Sequence, residues 1–167
     1  MTESHFTVGV VVARKLLRSG IWENRVWQPH AVLPSAPSVA AGMPLGGDGS
    51  TEYVYAGAFD LALERTATSH YRDNLATARP AIWISLQDSG EDFEIGTVTA
   101  DPYEGEALTE AIGATVEAVP MPDSLRAAIW AFVEAFHVER PFVKRKRDRA
   151  ATELRPRTGA EATSHGR

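Results

Sequence analysis

The sequence predicts an α+β fold: a mostly antiparallel sheet of about five to six strands built from hairpins, with two or three helices packed on it and the longest near the C-terminus. Three observations predict it. Valine-rich or alternating segments recur through the first hundred residues, residues with turn chemistry separate them in pairs, and the longest run of three-and-four apolar spacing falls between Ser124 and His137.

Phe6 to Leu17 (FTVGVVVARKLL) is rich in valine and carries no helix cap, so it reads as the opening strand, and Ser19-Gly20 marks a turn. Ile21 to Leu33 follows as its hairpin partner. Pro29 lacks the amide a central strand uses, which places this strand at an edge or at a bulge. Pro34 to Thr51 holds three prolines, four glycines and almost no charge, and is expected to be a flexible surface loop. Glu52 to Glu64 alternates, with Tyr53, Tyr55, Gly57, Phe59, Leu61 and Leu63 expected on one side.

A short helix is expected over Thr66 to Leu75, with Thr66, Thr68 or Ser69 as cap, and Pro80 ends the connection. Ala81 to Leu86 and Phe93 to Thr99 form a second hairpin around Asp88-Ser89-Gly90. Asp101-Pro102 supplies an N-cap and a first-turn proline for a helix reaching about Ile112, stopped by Gly113. A last strand over Ala114 to Val119 precedes the long helix, whose Leu125, Ile129, Phe132, Val133 and Phe136 form the stripe that should pack across the sheet.

A chain of 167 residues with ordinary globular composition suits one domain, here residues 6–143, after a flexible N-terminus at residues 1–5 and before a basic, disordered tail at residues 144–167. No apolar run reaches the ~20 residues of a membrane span and the N-terminus lacks a signal-peptide layout, so the expected location is cytoplasmic. The absence of cysteine removes disulfides, thiolate nucleophiles and Cys-ligated metals.

Charge is distributed unevenly. The chain carries 17 Lys/Arg against 22 Asp/Glu; nine and four of these lie from Val138 onward, which makes the terminus +5 and the preceding body −10. Such a body repels nucleic acid, and no aromatic-interleaved element accompanies the basic run, so a nucleic-acid partner is not expected.

Motifs for catalysis are absent. The five histidines form no metal-ligand spacing, so no metal site is expected. The glycines of residues 42–49 form no nucleotide loop, and no serine sits in a nucleophile elbow. His70, with Tyr71, Arg72 and Asp73, forms a cluster suited to phosphate binding or acid–base work; the plain alternative is the polar face of a short helix. Trp22 and Trp27, with Arg25 between them, lie on the edge strand, where an aromatic and a guanidinium can anchor a partner, while at least one of the two tryptophans is expected to pack in the core. Phe142 followed by Lys144, Arg145, Lys146 and Arg147 is the most pointed feature, and an acidic protein surface is its expected target, with plain solvation as the alternative.

The segments Trp22 to Pro34, His70 to Leu75, Thr99 to Glu104, Val119 to Pro122 and His137 to Arg147 resemble an uncharacterised bacterial family of small proteins, over most of Phe6 to Arg147. Genes of that family tend to lie beside those of formate dehydrogenase and related molybdenum enzymes, and some members carry a label of molybdopterin-guanine dinucleotide biosynthesis. The resemblance brings no assigned active residues. It implies a non-catalytic accessory or assembly protein with no cofactor of its own, whose partner is a molybdenum-dependent formate dehydrogenase or its maturation factors; the residue chemistry above places that contact at Trp22, Arg25, Trp27, Phe142 and Lys144 to Arg147. The alternative is a binding or transfer protein for molybdopterin guanine dinucleotide or a related phosphate-bearing ligand, held by Arg25, His70, Tyr71 and Arg72.

Overall fold

The computed structural model describes residues 3–141 and residue 143. Seven antiparallel strands form two sheets, accompanied by three α-helices. The first sheet has the order β2-β1-β4-β3, with β1 Glu3–Ser19, β2 Trp22–Leu33, β3 Met43–Gly47 and β4 Thr51–Glu64; the second has the order β6-β5-β7, with β5 Ala81–Asp88, β6 Phe93–Thr99 and β7 Ala114–Pro120. The helices are α1 Thr68–Leu75, entered through a 3-10 turn at Arg65–Ala67, α2 Pro102–Leu108 and α3 Asp123–Phe136. The α+β class is thus as expected, but the strands divide between two sheets instead of extending one.

Both sheets turn their apolar faces to a common core. Val8, Val10, Val12, Leu61 and Leu63 from the first sheet meet Ile82, Ile84, Leu86, Val98 and Val119 from the second. Leu125, Ile129, Phe132 and Val133 of α3 and Tyr71 and Leu75 of α1 complete the same cluster, and α3 packs along α1. Each of these large side chains contributes on the order of 1.5–3 kcal/mol by leaving water.

The first sheet departs from the simple alternation of its sequence at two bulges. Between β1 and β2 the register steps from Val11↔Ala31 to Val12↔Pro29, so His30 is the extra residue and Pro29 sits in the edge strand. Between β1 and β4 it steps from Val10↔Gly57 to Val11↔Tyr55, leaving Ala56 over. That step reverses which side chains face the core: Phe59, Leu61 and Leu63 pack inward, as do Val54 and Ala56, whereas Tyr55 lies over Gly9 on the opposite face. The expected single-sided set Tyr53 to Leu63 is therefore wrong at its N-terminal end, because one inserted residue shifts a period of two by one.

Two other sequence expectations are corrected. Residues Glu3–His5, assigned to a flexible N-terminus, are part of β1: Glu3 pairs with Glu64, and the His5 Nδ1 atom lies 2.7 Å from Asp60 Oδ2. Within the expected loop of residues 34–51, Met43–Gly47 adds a fourth strand to the sheet edge, with all five residues exposed. Its pairing rests on backbone hydrogen bonds and on Gly46 and Gly47 at φ 102° and 149°, a region other residues avoid, so side-chain pattern does not announce it. At its end Asp48 accepts from the Ser50 and Thr51 amides and the Ser50 hydroxyl, which holds its carboxyl below the usual carboxylate range.

The second hairpin also carries a bulge, between Ile84↔Val98 and Leu86↔Ile95; there the Thr97 amide donates to the Ser85 hydroxyl oxygen at 2.7 Å, which gives this buried serine a structural task. Where the sheets meet, Trp27 packs on Phe93 with centroids 4.7 Å apart, the Arg14 guanidinium lies over Trp27 at 5.1 Å, and the Trp27 amide donates to Asp88 Oδ2 at 3.0 Å.

α1 is tied down by one buried side chain. Asn74 donates from Nδ2 to the carbonyls of Ala81 and Ala100 at 2.8 and 2.9 Å, and its Oδ1 accepts the Ala81 amide at 3.0 Å. The bond to Ala100 is buried and the two to Ala81 are partly so, and removing the amide leaves three backbone groups without their partner. Asn74→Ala should lower stability by about 3 kcal/mol in urea unfolding, with a surface change such as Glu110→Ala as the near-neutral control. Gly105 of α2 rests directly on the Trp83 indole, with no room for a Cβ; Gly105→Ala should cost about 2–3 kcal/mol in the same assay.

Candidate functional site

Two regions gather side chains capable of recognition, at opposite ends of the first sheet. β1 has 17 residues. At ~3.3 Å per residue its ends stand roughly 50 Å apart. Its beginning pairs with the end of β4, from which α1 departs, and its end pairs with the start of β2.

At the α1 end, His70 Nδ1 donates to Asp101 Oδ2 at 2.7 Å, and the His70 ring packs against Tyr103 with centroids 4.6 Å apart. Asp101 uses its other oxygen to cap α2, accepting the amides of Tyr103 at 2.9 Å and Glu104 at 3.3 Å, so the Asp-Pro cap read from sequence is formed. Tyr103 Oη donates to Asp73 Oδ2 at 2.9 Å, which holds its phenol above its usual range through the hydrogen bond and the carboxylate charge. An oriented histidine with Nε2 left over is one part of an acid–base site. A nucleophile to complete it does not appear: among the described residues no serine or threonine hydroxyl bonds to His70.

Beside this pair lies a cavity of about 440 Å³ lined by Asp60, Glu64, Asp101 and Glu104, together with Tyr71 and Thr97. Four carboxylates on its wall repel phosphate. Tyr71 is itself structural. It is buried, its hydroxyl oxygen accepts the Glu64 amide at 3.0 Å, and burial raises its phenol above the usual value.

Arg72, two residues from His70, points elsewhere and pairs with Glu139 at 3.3 Å. It lines a larger cleft of about 1130 Å³ formed by the 3-10 turn, the start of α1 and the segment after α3. Arg65, stacked over Phe136 at 3.9 Å, and Arg140 join it there. Sequence reading missed this grouping; its one local signal is the Arg65-x6-Arg72 spacing along the turn and helix, and Arg140 comes from 68 residues further on.

At the other end of the sheet, β1 and β2 continue as a two-stranded ribbon past Lys15↔Thr51, the last pair with β4. Its tip exposes Ile21 (91%), Trp22 (75%) and Leu17 (50%). Ion pairs Arg18–Glu23 at 3.2 Å and Arg25–Glu52 at 3.5 Å flank these apolar groups. Trp27, offered by the sequence as a contact residue, is 7% exposed and belongs to the core, so Trp22 is the surface member of the pair. Arg25, His70, Tyr71 and Arg72 do not converge: Arg25 belongs to the ribbon, His70 is held by Asp101 and Tyr103, Tyr71 is buried and Arg72 lines the cleft. Phe142 and Lys144 to Arg147 lie outside the described residues.

Among the described residues, no group of three or more His, Cys, Asp or Glu is placed to hold a metal, and no helix is long and apolar enough to cross a membrane. Fold and side chains thus define a two-sheet α+β domain with an exposed apolar ribbon and no assembled catalytic centre among its described residues. The chain belongs to the family described as a protein of unknown function (DUF3305), whose model matches residues 7–146, from within β1 to beyond α3. No curated protein and no solved structure matches it.

The Tyr103 contact gives a direct check on the geometry. Its raised phenol pKa means that the Asp73 bond stabilises the fold below the ordinary tyrosine value of 10.0 and loses this effect as pH rises through the folded value. In an NMR titration of ring-labelled tyrosine, Tyr103 should ionise above 10.0, and Asp73→Asn should bring it back toward that value.

Proposed function

We propose that this chain is a non-catalytic accessory or assembly protein that works by protein–protein contact, and that its partner is a molybdenum-dependent formate dehydrogenase or one of that enzyme's maturation factors. The observation that carries the contact reading is the ribbon tip, where Leu17, Ile21 and Trp22 stand exposed beyond the sheet within a rim of paired charges. A central aromatic anchor with aliphatic neighbours and a polar rim is the composition of a protein-binding hot spot. The basic run Lys144 to Arg147 supplies charge for steering toward an acidic surface. The choice of partner rests on the sequence resemblance described above.

Transfer of molybdopterin guanine dinucleotide by Arg25, His70, Tyr71 and Arg72 draws less support. Arg25 pairs near the far end of β1 from the other three, and the cavity that Tyr71 lines is acidic.

Capture of formate dehydrogenase by the immobilised full chain tests the proposal. Ile21→Ser with Trp22→Ala should weaken capture by about tenfold or more, as loss of an aromatic hot spot does. Neutralising Lys144 to Arg147 should slow association and remove its salt dependence. Equal capture by all three proteins, or none by any, overturns it.

A further inference from the structure

We propose that the cleft between the start of α1 and the segment after α3 is a binding site for a small, dissolved organic phosphate, a role independent of the contact reading. Three arginines line it, Arg65, Arg72 and Arg140, against one acidic residue, Glu139. Arg65 and Arg72 stand in a body whose net charge is −10 over residues 1–137, and Arg140 comes from the segment that follows it. A local field opposite in sign to the surrounding surface selects anions and keeps the other cavity, lined by four carboxylates, free of them.

The chemistry of the wall narrows the ligand. Guanidinium forks and a hydroxyl, here that of Ser69, are the donors that phosphate oxygens take. The first turn of α1 adds its positive end, since Ala67 at the cap position has no side-chain acceptor for the leading amides. His137 holds the wall of the cleft in place. Its Nδ1 donates to Thr68 Oγ1 at 3.1 Å, because that hydroxyl already spends its proton on the Arg65 carbonyl at 3.2 Å; its Nε2 is buried with no partner among the described residues. Phe136, Val138 and Pro141 make the remaining wall apolar. A phosphate ester, with an anionic head for the arginines and an organic body for that wall, matches both halves, and a volume of about 1130 Å³ accommodates it.

The arginines are poised without being locked. Among the described residues Arg72 has only the exposed Glu139 as its ion-pair partner at 3.3 Å, a contact of small worth in water, and Arg65 stacks on the Phe136 face. A phosphate group can displace Glu139 at little cost.

Calorimetry on the full chain with pyrophosphate and with adenosine diphosphate as probes, and sulfate as the general-anion control, tests the proposal. One ligand per chain is expected, with the diphosphate ester bound more tightly than pyrophosphate and both more tightly than sulfate. Arg72→Gln with Arg140→Gln should weaken binding by about tenfold or more, because charge-assisted bonds are lost. Both side chains are at the surface, so melting of the unliganded variant checks that its fold is intact. A chain with Lys144 to Arg147 neutralised should still bind. The proposal fails if no probe binds, if the arginine pair leaves affinity unchanged, or if binding disappears with the tail charges alone.

Discussion

The buried amide of Asn74 is the constraint from which the arrangement of the helical end follows. Three hydrogen bonds join α1 to both backbone groups of Ala81 and to the carbonyl of Ala100, so one side chain fixes the helix against the start of β5 and the entry to α2. With α1 held there, its residues face two separate environments. His70 meets Asp101, which follows Ala100 directly, while Arg72 turns toward the segment after α3. The same anchoring thus separates an acidic cavity from a cationic cleft across the width of one short helix.

A second joint governs the opposite relation, between the two sheets. Trp27 lies between Arg14 and Phe93, and its amide is held by Asp88, so the tip of the second hairpin locks onto the middle of the first. Beyond that joint β1 and β2 have no third strand to pair with, and their tip extends into solvent with Leu17, Ile21 and Trp22 uncovered. The burial of one tryptophan and the exposure of the other share a cause: the second sheet covers the ribbon at residue 27 and does not reach residue 22.

These two ends differ in shape and chemistry. The ribbon tip is apolar with a charged rim and suits a large partner surface, whereas the concave, arginine-lined cleft suits a small anion. Residues 7–146, the span shared with the family, include both. The two surfaces stand roughly 50 Å apart along β1.

The sequence by itself determined the elements whose signals are local. The β1–β2 and β5–β6 hairpins follow from apolar runs around turn residues, the Asp101-Pro102 cap opens α2, and the stripe Leu125, Ile129, Phe132, Val133 is the buried face of α3. It also marked His70 and Arg72 as chemically notable, and the tertiary structure alone decided that they serve different surfaces. The same holds for the division into two sheets, the inward turn of Val54 and Ala56 past the β4 bulge, the edge strand Met43–Gly47, and the meeting of Arg65 and Arg72 with Arg140. The physical reason is common to all. A cap or an amphipathic stripe is satisfied by neighbours a few residues away, whereas bulge phase, edge pairing and a charge cluster depend on which distant backbone lies alongside, and no local residue pattern encodes that.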